Sequence, residues 1–142
     1  MRAAFYKGTR PKIQGLYNIL VRAVTKGIYS HCELVFLDGQ CASSSFIDMG
    51  VRFKRIDFDP DHWDFVDLPD ELEPKARGWF EKHNRQGYDI LGNVRFVFWP
   101  VSEEKNKWFC SEAMAKALGL DQAWRYDPNT LYSTLKLLEK IK

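Results

Sequence analysis

The chain has 142 residues, 45% of them hydrophobic and 15% aromatic, enough to bury a core without staples, and its length predicts one domain over residues 1–142. Its 21 basic residues stand against 19 acidic ones, a net charge of +2 that is too small and too dispersed to point to a nucleic-acid partner. No stretch approaches the roughly 20 apolar residues of an integral membrane segment. The first fifteen residues lack the apolar run of a signal peptide, so a protein that is cytoplasmic as synthesised is expected.

In chain order, Ala3–Tyr6 reads as a short opening strand, closed by the loop-forming Lys7-Gly8-Thr9-Arg10-Pro11. Leu16, Ile19, Leu20, Ala23 and Val24 recur at helical spacing between Gln14 and Lys26, and Gly27 is a plausible stop. A β-rich block follows: Ser30–Leu37, the turn signal Asp38-Gly39, and Gln40–Phe46 returning antiparallel. Asp48-Met49-Gly50 turns the chain into Val51–Ile56, where apolar and basic residues alternate, and Trp63–Leu68 is a further strand. Pro69-Asp70 then opens a helix, with Asp70 as N-cap and Glu73 completing an acidic capping box. Leu72, Ala76, Trp79, Phe80 and His83 share one face of it, and Gln86-Gly87 ends it. Tyr88–Val101 is apolar and fits either a helix or a strand. A helix starts at Cys110 and is stopped by Gly119, and a last one runs from Asn129 with Leu131, Leu135 and Leu138. The pattern is α+β, a central antiparallel sheet packed with helices.

Phe109-Cys110-Ser111 places a thiol in the first turn of a helix, where free N–H groups and the helix dipole favour a thiolate. Cys110 shares its face with Ala113, Met114 and Ala117, which must pack on something. It is therefore either a small buried core residue or a nucleophile aimed at the sheet. Three cysteines cannot all pair, and none of the spacings is C-x-x-C, so free thiols are the simpler account. A zinc site from His31, Cys32, Cys41 and Cys110 is disfavoured, because neighbours His31 and Cys32 point to opposite faces of a strand. Cys32 and Cys41 read as ordinary strand residues.

His31 is the histidine that sits in a strand. His62 lies in a turn and His83 near a helix end. Glu33 projects to the same side as His31 and can orient the imidazole, or it forms a surface ion pair on an edge strand. Ser43 and Ser45, across the hairpin, are alternative hydrogen-bond orienters. Tyr88 can donate to a developing oxyanion beside the backbone N–H groups of Cys110 and Ser111. Asp89 reads as a cap, and Trp99 and Trp108 as core or groove wall.

The order His31, hairpin, Gly87-Tyr88-Asp89, then Trp108-Phe109-Cys110-Ser111-Glu112 at a helix start resembles the permuted branch of the NlpC/P60 papain-like superfamily. That branch includes the YiiX/YebB-like and lecithin:retinol acyltransferase-like proteins. In it the histidine precedes the cysteine, reversing the usual papain-like order. The resemblance spans Tyr29 to Gly119, and the whole chain is also similar to small phage and prophage proteins. It implies a circularly permuted papain-like fold with Cys110 as nucleophile, His31 as base and no cofactor. Its third polar residue, about twelve positions after the histidine, falls on Ser43, where many relatives have His, Glu or Asn; Glu33 is the favoured substitute. The implied function is a cysteine hydrolase that cleaves an amide, with cell-wall peptide as the substrate class. Lipid-type acyl transfer or thioester cleavage is the runner-up, and a non-catalytic phage structural or accessory protein, with structural or lysis proteins as partners, is the alternative of a different class.

Overall fold

Period-two alternation sends the strand side chains of this protein to two different destinations. The computed structural model describes residues 1–88 and 107–141. In it β1 (Arg2–Tyr6), β2 (His31–Val35), β3 (Cys41–Ser45), β4 (Gly50–Lys54) and β5 (Trp63–Asp67) form an antiparallel sheet in the order β5-β1-β2-β3-β4. Two-residue strands β6 (Gly87–Tyr88) and β7 (Lys107–Trp108) extend it past β4 and run parallel to each other.

On one face, Ala3, Phe5, Cys32, Leu34, Ala42, Val51 and Val66 form the main core with three helices. These are α2 (Glu73–His83), α3 (Cys110–Leu118) and α4 (Pro128–Ile141), numbered after α1 (Lys12–Thr25). Phe80, Met114 and Leu131 are their most deeply inserted side chains. The opposite face carries a smaller apolar cluster of Ala4, Tyr6, Val35, Cys41 and Trp63. By the same alternation it also carries His31, Glu33, Ser43 and Arg52. The class is α+β, as the pattern predicts. Among the described residues no helix is long and apolar enough to cross a membrane.

Several boundaries differ from expectation for identifiable reasons. Asp70 and Glu73 do not form a capping box: a 3₁₀ turn, Asp70–Leu72, precedes α2, whose N-cap position is Leu72 with no side-chain cap bond. Asp70 is taken by the Met1 amino group, and Glu73 accepts the Leu37 N–H at 2.8 Å and Arg77 at 3.1 Å. The tertiary partners outcompete the local cap. Helix α1 ends in Lys26, left-handed at φ 51°, rather than at Gly27. Strand β4 stops at Lys54, and Ile56 turns onto the smaller cluster. Helix α4 begins one residue earlier than expected, because the Asp127 carboxylate accepts the N–H groups of Asn129 (2.7 Å) and Thr130 (3.0 Å). Gly119 does stop α3, at φ 84°. Gly50 is required by a close approach: a Cβ there would lie 2.0 Å from the Gln86 carbonyl oxygen, where β4 meets β6. The ambiguous apolar segment lies outside the described residues from Asp89 onward, as does Trp99.

Candidate active site

Strand β7 delivers the chain to α3 through Phe109, which is extended at φ −101°, ψ 166°, so that Cys110 is the first helical residue. The first intrahelical bond runs from the Ala113 N–H to the Phe109 carbonyl at 2.9 Å. The N–H groups of Cys110 and Ser111 precede that ladder and have no intrahelical acceptor. Cys110 is 3% exposed, with Ala113, Met114 and Ala117 buried in the main core behind it. The helix start therefore presses the thiol onto the sheet.

The contact falls where two strands part. Strand β2 is laddered to β3 only at Leu34–Ala42 and Val35–Cys41. Nearer the start of β2, the Cys32 carbonyl accepts the Ser43 hydroxyl at 2.7 Å. At this opening the thiol of a helix on one face reaches His31, whose side chain belongs to the other.

His31 Nε2 bonds Glu33 Oε1 at 2.7 Å. That leaves Nδ1 as the nitrogen available to the thiol. Glu33 is fully buried and is gripped by both terminal nitrogens of Arg52, at 2.6 and 2.5 Å. Arg52 Nε in turn bonds Asp48 at 2.7 Å, and Lys54 bonds the same Asp48 oxygen at 2.9 Å. Arg52 stands on β4 and Glu33 on β2, with β3 between them. The residue of β3 in register with Arg52 is Ser43, whose small side chain leaves the guanidinium a way across. One line of groups results: thiol, imidazole, carboxylate, guanidinium, carboxylate.

The charges follow from the neighbours. Burial alone would raise the Glu33 carboxyl, but Arg52 and His31 hold it at about 2. Burial alone would lower His31, but the Cys110 thiolate and Glu33 raise it to about 9. The Cys110 thiol is brought well below the ordinary thiol range, first by a hydrogen bond from the Cys32 thiol, and then, against burial, by His31 and the Cys32 N–H. Cys32 moves the opposite way, well above its ordinary value, through burial and its donation to Cys110. These neighbours favour the ion pair, thiolate beside imidazolium, over the neutral pair.

The structure brings together Cys110, His31 and Glu33. Glu33 is not the surface ion pair considered from sequence, since it is wholly buried. Ser43 does not orient the imidazole: its hydroxyl donates to the Cys32 and Ser44 carbonyls. The Ser111 side chain is buried and donates to the Tyr126 carbonyl at 2.7 Å, so its backbone N–H is the part that faces the helix start. The backbone of Tyr88 pairs with Trp108, and its side chain lies outside the described residues. His62 is exposed beside Asp59 at 2.8 Å, and His83 stacks on Trp79 with ring centroids 4.0 Å apart. Cys41 is buried, which pushes its thiol up to about 11.

Two contributors escaped the sequence reading. Cys32 read as an ordinary strand residue, and only the fold shows that the helix-packed face of β2 sets it beside Cys110. Arg52 carries one sequence signal, its place among alternating basic residues, but nothing local says that it reaches across a neighbouring strand. Beside His31 a cleft opens between α1 and the end of β3, lined by Arg10, Gln14, Tyr17, Asn18, Ser45 and Phe46. Tyr17 stacks on Phe46 at 5.5 Å and forms its apolar wall. Comparison of the chain with protein-family models and with curated proteins finds no match.

Proposed function

We propose that this protein is a cysteine hydrolase of circularly permuted papain-like type, acting on an amide through an acyl-enzyme on Cys110. The observation that carries the reading is an imidazole held between a buried carboxylate, 2.7 Å from Nε2, and a thiol at a helix start. Substrate enters by the cleft beside His31. The Cys110 thiolate adds to the scissile carbonyl carbon, and the backbone N–H groups of Cys110 and Ser111 stabilise the oxyanion. His31 gives its Nδ1 proton to the leaving amine, so the C–N bond breaks and a thioester remains. A water then loses a proton to the now neutral imidazole, attacks the thioester and releases the acid. Glu33 touches no reacting atom in this scheme: it positions the ring and favours its charged form. Arg52 fixes Glu33 in the ionised state.

The substrate class favoured by the family resemblance is cell-wall peptide. Incubation with peptidoglycan fragments, with new amino termini and released peptides followed by mass spectrometry, tests this. Turnover that disappears in Cys110→Ala and in His31→Ala is expected. Turnover that persists in Cys110→Ala would reject the assignment.

A further inference from the structure

Helix α1 is built inside out. Its polar Asn18 is 4% exposed, donating to the Ser30 hydroxyl at 2.8 Å and accepting the Arg10 N–H at 3.1 Å. Arg22 ties it to the Lys7 carbonyl and Thr9, and Asn129 to Thr25. Three of its aliphatic residues point the other way: Leu16 is 66% exposed, Ile19 52% and Leu20 56%. A helix stabilised by packing buries its apolar stripe and wets its polar one, and a contiguous exposed stripe marks a surface meant for a partner. Ile28, just past the helix, is 57% exposed, and Ile47, which lines the cleft, is exposed as well.

The charge around this stripe identifies the partner's chemistry. The first acidic residue of the chain is Glu33; before it stand six basic residues, leaving fifteen basic against nineteen acidic in the rest. Lys7 is neutralised by Asp64, whereas among the described residues no carboxylate pairs with Arg10, Arg22 or Lys26. An outward aliphatic stripe on a helix without acids, flanked by unneutralised cations, is the make-up of a helix that lies in the boundary of an anionic bilayer. We propose that α1 docks this protein on an anionic lipid surface, with Leu16, Ile19 and Leu20 inserted among the acyl chains and the cleft beside His31 held at the water–lipid boundary. The assignment goes beyond the hydrolase reading and does not depend on it, since none of these side chains contacts Cys110, His31 or Glu33.

Vesicle flotation tests it, with phosphatidylcholine alone against phosphatidylcholine containing about a third phosphatidylglycerol. The native protein floats with the anionic vesicles and binds the neutral ones at least about tenfold more weakly, and salt weakens the anionic binding. Leu16→Gln/Ile19→Gln/Leu20→Gln loses at least about tenfold in lipid affinity, with its circular dichroism and its rate of Cys110 alkylation unchanged. Arg10→Gln/Lys26→Gln loses the preference for anionic lipid. Single Ile19→Gln reads the same effect should the triple variant fold poorly. A native protein that stays with the lipid-free fraction, or a triple variant that floats like the native, overturns the proposal. So does a native protein that ignores vesicles and sediments as a dimer the triple variant cannot form, which would assign the stripe to a second copy of the chain.

Discussion

Replacing Glu33 by Gln keeps the shape of the side chain and removes the charge between His31 and Arg52. Moving a carboxyl from its ordinary 4.5 to about 2 corresponds to about 3 kcal/mol of stability at neutral pH. Because the value is depressed in the folded state, that stability is present above about pH 4.5 and is lost as pH falls towards 2. The amide of the variant does not titrate, so Glu33→Gln is at least about 3 kcal/mol less stable at pH 7, with a further cost from leaving the Arg52 cation facing a neutral group. Denaturant unfolding at a series of pH values then shows the gap between native and variant narrowing by about 2 kcal/mol between pH 7 and pH 3. The imidazole reports independently. Its value of about 9 rests on two anions, so an NMR titration of His31 gives a lower midpoint in Glu33→Gln. In the native chain this raised value stabilises the fold below pH 6.5 and is lost as pH rises through about 9. A stability gap below about 0.5 kcal/mol at pH 7, or one that stays constant down to pH 3, would refute the assignment of Glu33 as a buried, charge-bearing positioning group.

Three other outcomes follow from the same geometry. Cys32→Ala removes the thiol that donates to Cys110, so the pH midpoint of Cys110 alkylation rises while His31 and Glu33 remain in place; mass-resolved alkylation reads this. Ser43→Ala costs about 1 kcal/mol for its lost hydrogen bond to the Cys32 carbonyl but leaves the His31 titration unchanged, as expected if Ser43 is not the orienting residue. Ser43→Leu, by contrast, fills the path of Arg52 to Glu33 and lowers the His31 midpoint seen by NMR, with a stability loss of about 3 kcal/mol or more from the broken buried pair.

Much of the site was legible because local rules govern it. A two-residue spacing on a strand puts His31 and Glu33 on one side, and a cysteine after an extended residue, ahead of an apolar helical stripe, puts Cys110 at the helix start. The strands, the Asp38-Gly39 turn and the Gly119 stop are local in the same sense. What could not be read depends on neighbours distant in sequence. Glu33 is held by Arg52 from two strands away, and that reach needs a small residue at position 43, which a sequence shows only as a missing family residue. Cys32 follows strand alternation onto the face that α3 covers, but which helix residue meets it there is set by where α3 arrives in the fold. The Asp70 and Glu73 cap failed by the same logic, each carboxylate finding a better partner elsewhere in the fold. Helix α1 shows the reverse error: its 3.6-residue periodicity was visible, but periodicity does not say which stripe faces the body.

Cys32 and His31 together bring the Cys110 thiol below the ordinary thiol range. The pH dependence of iodoacetamide alkylation at Cys110, compared between the native protein and His31→Ala, tests it most directly. The expected native midpoint lies well below the ordinary thiol value of about 8.5 and rises clearly in the variant. A native midpoint near about 8.5 that His31→Ala leaves unmoved would contradict it.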